Sequence, residues 1–269
     1  MKKRKNIWGN IILGIFIFLV IAPLLSIIVW MFTERWAWPS LIPQTFSMRA
    51  IEAVFRDRSE LAKLFGSSMI ISLTVAFLSV VIGTMTARAL ECYEFIGKKV
   101  FSFLALLPFL VPATVFAMGI QVAFIKAGLS GTIPGVIFVH LICSLPYAVT
   151  LLQDGTRAMG TKLEEQARVL GANPWQAFVK VTLPNLFPVM LSAFSMAYIV
   201  SISQYFLTLM IGGGSVKTFA IVMVPFLTGG QRNFASVYSM IFLVITIIVF
   251  GIFEWLVNRF VKEEEIEYY

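Results

Sequence analysis

The run GGGSVKT, from Gly212 to Thr218, carries the residues of this chain that come nearest to phosphate chemistry. A Walker A loop needs glycine directly before its lysine, because the backbone amides must wrap closely around the phosphates. Val216 occupies that position here. Since no other stretch fits the motif, the sequence predicts neither a nucleotide site nor catalytic residues, and we do not expect an enzyme.

The single histidine, His140, lies within an apolar run and has no Asp or Glu one helical turn away. One imidazole cannot hold zinc alone, so no metal site is predicted. The cores of the long apolar segments contain no Asp or Glu. Proton-coupled carriers usually need such intramembrane carboxylates, and a hydrolase would need paired acids or a Ser-His-Asp set. Two roles stay open for His140, which are structural packing and the lining of a polar pathway.

The composition predicts a membrane protein, and the six helical spans described below predict an all-α fold. The chain of 269 residues is 59% hydrophobic and 13% charged, whereas soluble domains have about 25% charged residues. Its 25 Phe and 6 Trp suit lipid and its interfaces. The net charge of +7 is not arranged as a basic stripe with aromatic residues, so nucleic acid is not an expected partner. Cys92 and Cys143 form no CxxC pattern and predict no disulfide framework.

Six apolar segments are long enough to cross a bilayer, which takes about 20 helical residues. The third segment contains Pro108 and Pro112, which predict a bent or broken helix. The predicted spans cover residues 10–32, 64–87, 100–125, 132–153, 187–210 and 234–257.

These spans predict three parts. Residues 1–63 hold an N-terminal tail, the first span and an external segment, and residues 64–258 form a core of five helices with a polar loop at 160–184. Residues 259–269 form an acidic tail. Charged residues at helical spacing between Arg49 and Glu60 predict a short surface helix in the external segment, which either touches a partner or is a solvated linker.

The distribution of Lys and Arg predicts the orientation. With the N-terminus inside, the cytoplasmic segments hold most of the 21 Lys and Arg residues. The short loops therefore favour cytoplasmic N- and C-termini under the positive-inside rule. This orientation places the loop at 160–184 in the cytoplasm.

That loop is the longest polar interruption in the second half of the chain, and it predicts two short helices joined by a turn. Glu164 and Arg168 are spaced to pair on one face of the first helix. Gly171 ends this helix, because a left-handed residue is often needed there. Asn173 and Pro174 start the second helix, since Asn caps free amides and Pro suits the first helical position.

The spacing of the loop resembles the EAA loop of permease subunits of ATP-binding-cassette importers. Gln166 stands where Ala is common in that loop, and Val181 stands where Ile is common. An ordinary amphipathic hairpin on the membrane surface is the alternative. The matching positions are Glu165, Gln166 and Ala167, then Gly171 after three residues, then Val181, Leu183 and Pro184 after nine more.

Two apolar runs resemble parts of the type I importer permeases. LLPFLVPATVFAMGI is similar to the kinked third helix of this class. SQYFLTLMIGGG is similar to the end of the fifth helix in the branch that includes ferric-ion, polyamine and thiamine permeases. The resemblance implies the six-helix MetI-like fold and a multi-pass protein of the bacterial inner or plasma membrane. The chain would form half of a translocation pathway.

The resemblance also implies the partners. Two ATPase subunits would bind the ATP, a second permease subunit (identical or homologous) would complete the pathway, and an external binding protein would deliver the substrate. Membrane lipid surrounds the chain, and no cofactor is expected on the chain itself. An ATP-independent channel or facilitator and a membrane scaffold or sensor are the alternatives.

The implied role of the loop is to dock on an ATPase subunit. Glu165 would pair with a basic group of that subunit, Ala167 would permit close approach, and Gly171 would allow the turn. Trp175 and Phe178 would either fill an apolar part of the ATPase groove or pack on the permease, and we expect a mixed role. The coupling set is Glu164, Glu165, Gln166, Ala167, Leu170, Gly171, Ala172, Asn173, Pro174, Trp175, Phe178, Leu183 and Pro184.

Neutral polar residues of the fifth span are candidates for lining the pathway, together with His140. They are Ser201, Ser203 and Gln204. Serines also mediate helix packing, whereas a Gln side chain is more costly to expose to lipid and is therefore the stronger candidate. None of these residues is charged, so the sequence does not select a substrate.

Overall fold

A computed structural model describes residues 7–267 of the chain, which are predominantly helical. A two-stranded antiparallel hairpin follows the first helix. The elements are α1 (Ile7–Met31), β1 (Thr33–Arg35), β2 (Thr45–Phe46), α2 (Arg49–Arg56), α3 (Arg58–Cys92), α4 (Lys98–Leu110), α5 (Ala113–Lys126), α6 (Ile133–Met159), α7 (Lys162–Val169), α8 (Pro174–Ala177), α9 (Leu183–Ile202), α10 (Phe206–Gly212), α11 (Phe219–Thr228) and α12 (Arg232–Glu267).

Five helices among the described residues are long and apolar enough to cross a membrane, and a sixth span results if α4 and α5 are counted together. This agrees with the six predicted spans. The spans lie in α1, α3, α6, the stretch from α8 through α9, and α12.

The third span is broken, which confirms the prediction made from its prolines. The axes of α4 and α5 differ by 106°. Val111 between them is extended (φ −100°, ψ 121°), as expected for a residue whose helical conformation is disfavoured by the following proline. Pro112 then stands immediately before α5.

The fifth span is not the single helix predicted over residues 187–210, and that prediction is wrong. The helix α9 ends at Ile202, and the chain turns before α10 begins. The Ser203 hydroxyl donates to the carbonyls of Ile199 and Val200, and the Gln204 N–H donates to Ser201 O at 3.2 Å. Hydroxyl groups compete in this way for the carbonyls that a continuing helix would use.

The chain divides into two compact units. The described part of the first unit covers residues 7–62 and 222–245 and contains the hairpin and α2. The predicted surface helix is present as α2, and its two buried residues anchor a small apolar cluster. This cluster contains Ala50, Val54 and Val237, with Met31, Ile51, Leu61, Phe234, Tyr238 and Ile241 packed against it.

The second unit covers residues 63–221 and 246–267 and contains the helices that position the polar loop. Within it, α6 packs against α9, α4 packs against α6, and α10 packs against both α5 and α6. A core of apolar side chains fills the space around α10. Its buried members are Ile71, Val75, Ala117, Phe124, Val136, Val139, Leu207, Ile211 and Val216.

Glycine permits the close approach of α6 and α9. A Cβ atom at Gly155 would lie 2.8 Å from Cγ1 of Val189 and 3.0 Å from its Cγ2. Valine is branched at Cβ and has little rotamer freedom in a helix, so it cannot easily move aside. The spacing of these two helices therefore depends on the missing side chain.

We expect the Gly155→Ala protein to be less stable than the Gly119→Ala protein by about 1–3 kcal/mol, because only the first substitution overpacks a helix contact. Both glycines lie in helices, so replacement by alanine raises the helix propensity equally at the two positions. A Cβ at Gly119, however, meets no atom within 4 Å. Thermal melting of the detergent-solubilised variants, followed by gel filtration, measures the difference. Equal melting temperatures would show that α9 does not need this close contact.

Candidate functional site

The polar loop between α6 and α9 begins with α7 (Lys162–Val169), which ends in a Schellman motif. Gly171 has a φ of +96°, a left-handed conformation that favours glycine. Its N–H donates to Arg168 O at 3.0 Å, and the Ala172 N–H donates to Ala167 O at 3.0 Å. These two bonds satisfy carbonyls at the end of the helix, so the predicted helix and its glycine stop are confirmed.

The second helix of the loop, α8 (Pro174–Ala177), starts with a capping box. The Asn173 side chain accepts a bond from the Gln176 N–H at 2.8 Å, and the Gln176 side chain accepts one from the Asn173 N–H at 3.1 Å. Pro174 takes the first helical position, where its missing N–H costs nothing. Asn173 therefore caps the helix as predicted, and Gln176 adds a reciprocal bond that was not predicted.

A π-helical turn, Phe178–Thr182, connects α8 to α9. The Leu183 N–H donates to Phe178 O, five residues earlier, instead of the usual four. Pro184 explains the widening, because it has no N–H to bond the Lys180 carbonyl and its ring would clash with that carbonyl in a regular helix. Such turns are frequent at functional sites.

An ion pair ties the loop to α3. Arg88 Nη2 donates to both carboxylate oxygens of Glu164, at 2.9 and 3.2 Å. The Thr182 hydroxyl donates to the same carboxylate at 2.7 Å. The Arg88 guanidinium also lies 4.9 Å from the centre of the Phe178 ring, within cation–π range. We call these four residues the Arg88 bracket, and it joins α3, α7 and the π-helical turn.

The electrostatics of the bracket favour an ionised Glu164. Partial burial opposes ionisation, but the hydrogen bonds from Thr182 and Arg88 outweigh it, and the positive charges of Arg88 and Arg168 add to them. The pKa of the Glu164 carboxyl is therefore lower than its ordinary value. The carboxylate stays charged at neutral pH and keeps its ionic bond to α3.

A second ion pair lies between α3 and α6. Arg157 donates to the Glu91 carboxylate through Nη2 at 2.9 Å and Nε at 3.1 Å, and Gln153 Nε2 donates to the same carboxylate at 3.0 Å. This two-pronged geometry fixes the guanidinium relative to the carboxylate. The helix that leads into the loop is thus bound to the helix that carries Arg88.

The sequence predicts a pair between Glu164 and Arg168. In the structure, the Glu164 carboxylate instead accepts ionic hydrogen bonds from Arg88. Spacing of four residues finds pairs within one helix, whereas Arg88 is 76 residues away in the chain. A charged residue at the end of an apolar segment was the available signal. A residue at such a position can form an ion pair, but its position does not identify the partner.

The two neighbouring acids of the loop have different surroundings. Glu164 is mostly buried in the bracket, whereas Glu165 is exposed. Within the part of the chain that the structure describes, the Glu165 carboxylate takes part in no hydrogen bond or ion pair. Glu165 is therefore available for an external contact, and Glu164 is not.

The loop also exposes large apolar side chains. Leu170 is 89% exposed, Val169 is 88% exposed and Trp175 is 71% exposed. Val169 and Leu170 line an open cleft together with Lys162, Glu165 and Gln166. The cleft thus combines exposed apolar residues with a polar rim, which is typical of a protein contact site. We call the exposed residues Glu165, Gln166, Val169, Leu170 and Trp175 the loop face.

The other members of the predicted coupling set shape the loop or lie beside its face. Phe178 is half-buried under Arg88, and its ring centre lies 5.9 Å from that of Trp175. One aromatic residue thus packs on the chain and the other faces outward. Ala167, Ala172 and Leu183 are half-buried, whereas Gly171, Asn173 and Pro174 are exposed, as is Pro184.

Two of the predicted pathway residues, His140 and Ser201, are buried and bonded to each other. His140 Nδ1 lies 3.0 Å from the Ser201 hydroxyl, and His140 Nε2 lies 2.9 Å from the Thr208 hydroxyl. The Thr208 hydroxyl donates to the Gln204 carbonyl at 2.7 Å, so it accepts from Nε2–H. The neutral imidazole then accepts from Ser201 at Nδ1. This network fits the structural alternative for His140, and sequence reasoning missed Thr208.

Ser203 and Gln204, the other two predicted pathway residues, lie at the break between α9 and α10. Ser203 is exposed, and its hydroxyl bonds carbonyls of its own helix. Gln204 is half-buried, and among the described residues no hydrogen bond is formed by its side-chain amide. The amide is therefore one polar side-chain group that remains available at the break.

The Gly212–Thr218 run is packed against α3 and does not form an open phosphate cradle. The Ser67 hydroxyl donates to the Lys217 carbonyl, and the Phe219 N–H donates to the Ser68 hydroxyl at 3.0 Å. Val216, the residue that breaks the Walker A pattern, is buried in the core around α10.

Comparison with known proteins extends these observations. Residues 79–262 match the family model described as the binding-protein-dependent transport system inner membrane component. The molybdate/tungstate transport system permease protein of Thermococcus kodakarensis is 26% identical over 72% of this chain and 77% of that protein. The trehalose transport system permease protein of Mycobacterium tuberculosis is 30% identical over 71% of this chain and 70% of that protein.

The fold is also found among solved structures. A chain from a bacterial ABC transporter involved in the import of the polysaccharide alginate superposes with a TM-score of 0.71. The match covers 94% of this chain and 98% of that chain at 17% sequence identity. Because the family model spans well over half of the sequence, the chain belongs to the inner membrane components of binding-protein-dependent transport systems, and it is a permease subunit of an ATP-binding-cassette importer rather than an ATP-independent channel or a scaffold.

Proposed function

We propose that the loop from α7 to the start of α9 docks on a separate ATPase subunit and transmits the movement of that subunit to the membrane helices. The observation that carries this proposal is the loop face, which combines an unpaired carboxylate with large exposed apolar side chains. A complementary partner surface would offer a basic group to Glu165. It would also offer an apolar groove to Leu170 and Trp175, since buried aromatic residues dominate many protein interfaces.

The ion pairs behind the loop face support a role in transmission. The Arg88 bracket binds the loop to α3, and Glu91 with Arg157 binds α3 to α6. A force on α7 therefore acts on both helices instead of bending a free loop. Transmission by rigid-body movement of packed helices is a common mechanism of conformational switching.

We propose the remaining partners from the family and its relatives. A second permease subunit, identical or homologous, completes the pathway, two ATPase subunits bind the ATP, and an external binding protein delivers the substrate. One solved structure with this fold is that of a bacterial alginate ABC transporter in complex with an alginate pentasaccharide-bound periplasmic protein, which supports this kind of partner. Both chain termini are cytoplasmic in this proposal, because the loop face must meet an ATPase on the side where ATP is available.

Ser203 and Gln204 are the proposed pathway residues. His140 and Ser201 stabilise the helix break at which these two residues lie. The available Gln204 amide and the satisfied His140 network support this division. The relatives are named for chemically different solutes, an oxyanion and a disaccharide, so their likeness selects neither a substrate nor the ferric-ion, polyamine and thiamine branch.

The Gly171→Asp protein should no longer retain the separate ATPase subunit during purification. An L-residue is strained at a φ of +96°, so the turn beside the loop face would change shape. Affinity purification of the tagged chain from its native membrane, followed by mass spectrometry and an ATPase assay, measures this. Gly128→Asp is the matched control, since Gly128 has a φ of +69° and, like Gly171, has space for a Cβ. Retention of ATPase activity by Gly171→Asp at the level of Gly128→Asp would disprove docking through this turn.

The two adjacent acids should give opposite phenotypes. Glu164→Gln removes the charge that holds Arg88, so tryptic cleavage within residues 162–182 should accelerate about tenfold as local opening becomes easier. Glu165→Gln should leave the cleavage rate unchanged and reduce the amount of ATPase that co-purifies. The assignment of the two roles fails if Glu165→Gln loosens the loop, or if it leaves ATPase retention unaltered.

A further inference from the structure

The turn between β1 and β2 exposes large apolar side chains next to the end of the first membrane helix. We propose that residues 36–44, the hairpin turn, insert into the headgroup boundary of the leaflet at which α1 ends. The chemical partner is the lipid surface itself. This inference concerns the first unit alone and does not depend on the docking of an ATPase.

The side chains of the hairpin turn are apolar and uncovered. Trp38 is 92% exposed, Leu41 is 89% exposed and Ile42 is 73% exposed. The sequence of the turn, WAWPSLIPQ, contains no charged residue. A water-facing turn of this length usually consists of polar residues and glycine, so this composition needs an apolar neighbour.

Aromatic stacking holds the hairpin turn at the level where α1 ends. The Trp36 ring stacks on the Trp30 ring with a centroid distance of 4.9 Å and an interplanar angle of 28°. Trp30 belongs to the last turn of α1. Trp36 Nε1 also donates to the Ser40 carbonyl at 2.8 Å, which folds the turn back toward Trp36. The turn is thus bound to the membrane helix beside it and does not extend freely into water.

Charged groups flank the hairpin turn without interrupting it. Glu34 and Arg35 precede it, and Glu34 forms an ion pair with Arg49 at 3.0 Å. Arg232 lies with its guanidinium 5.1 Å from the centre of the Trp30 ring. Cations and tryptophan rings at one level are characteristic of the boundary between lipid tails and headgroups.

The composition and exposure of α1 indicate where the lipid boundary lies. The most apolar stretch of α1 lies within residues 11–31, and none of its residues is buried within the chain. The mean hydropathy of this stretch is 3.1. A helix that is apolar on all sides and is not buried in its own chain is typical of a membrane span. A segment stacked on its last turn therefore meets the lipid boundary first. Tryptophan favours that boundary because its ring is apolar and its N–H is polar.

The test places the environment-sensitive dye NBD on single cysteines in full-length chain reconstituted into phosphatidylcholine vesicles. Cys92 and Cys143 are first replaced by serine, and Leu41→Cys is compared with Glu52→Cys, an exposed position on α2. We expect blue-shifted emission at position 41 and about twofold stronger quenching by brominated phosphatidylcholine than at position 52, because only position 41 reaches the lipid boundary.

A second measurement uses no added dye. Quenching of tryptophan fluorescence by brominated lipid should decrease in the Trp38→Phe protein relative to the unsubstituted chain, since Trp38 would be one of the quenched rings. Water-like emission at position 41 together with unchanged tryptophan quenching would overturn the proposal. If position 41 is water-like in vesicles and shifts only after an external binding protein is added, the hairpin turn is a protein contact and the lipid assignment is wrong.

Discussion

The pairing of Arg88 with Glu164 is the interaction on which the geometry of the polar loop depends. The helices α7 and α8 have eight and four residues, and isolated helices below about 12–15 residues are marginal in water. Their caps lower the cost of folding but do not orient them on the chain. The mostly buried ion pair does so, because Arg88 loses its partner if the loop moves away. Leaving one member of such a pair uncompensated is expensive, about 3–5 kcal/mol for fully buried pairs.

A second constraint is the satisfaction of backbone groups where membrane helices break. No water hydrogen-bonds to exposed carbonyls in the bilayer core, so a break is tolerated only where neighbouring groups replace the missing bonds. Ser203 and Thr208 supply hydroxyl groups at the break between α9 and α10. His140 then binds Thr208 and Ser201 at once. One imidazole on α6 therefore supports both sides of the break, which explains why a lone histidine lies in an apolar helix.

The sequence predicts local features of this protein well and long-range contacts poorly. Helix caps and proline breaks depend on a few neighbouring residues, so Gly171, Asn173 and Pro112 could be assigned from types and spacing alone. The break after Ile202 was missed, because serines are also common within continuous membrane helices. The pairing of Glu164 with Arg88 could not be found, since no local pattern connects residues so far apart. The hairpin before α2 was missed because its strands have only three and two residues.

The contrast between Glu164 and Glu165 shows how one short motif can serve two purposes. Adjacent residues in a helix point about 100° apart, so one carboxylate can face the chain while its neighbour faces outward. Glu164 uses its charge within the chain, and its lowered pKa follows from the bonds that hold it. Glu165 keeps its charge available on the same helix. A partner that binds Glu165 therefore acts on a helix already fastened to α3, and the strength of that fastening limits how much of a partner's movement can reach the membrane.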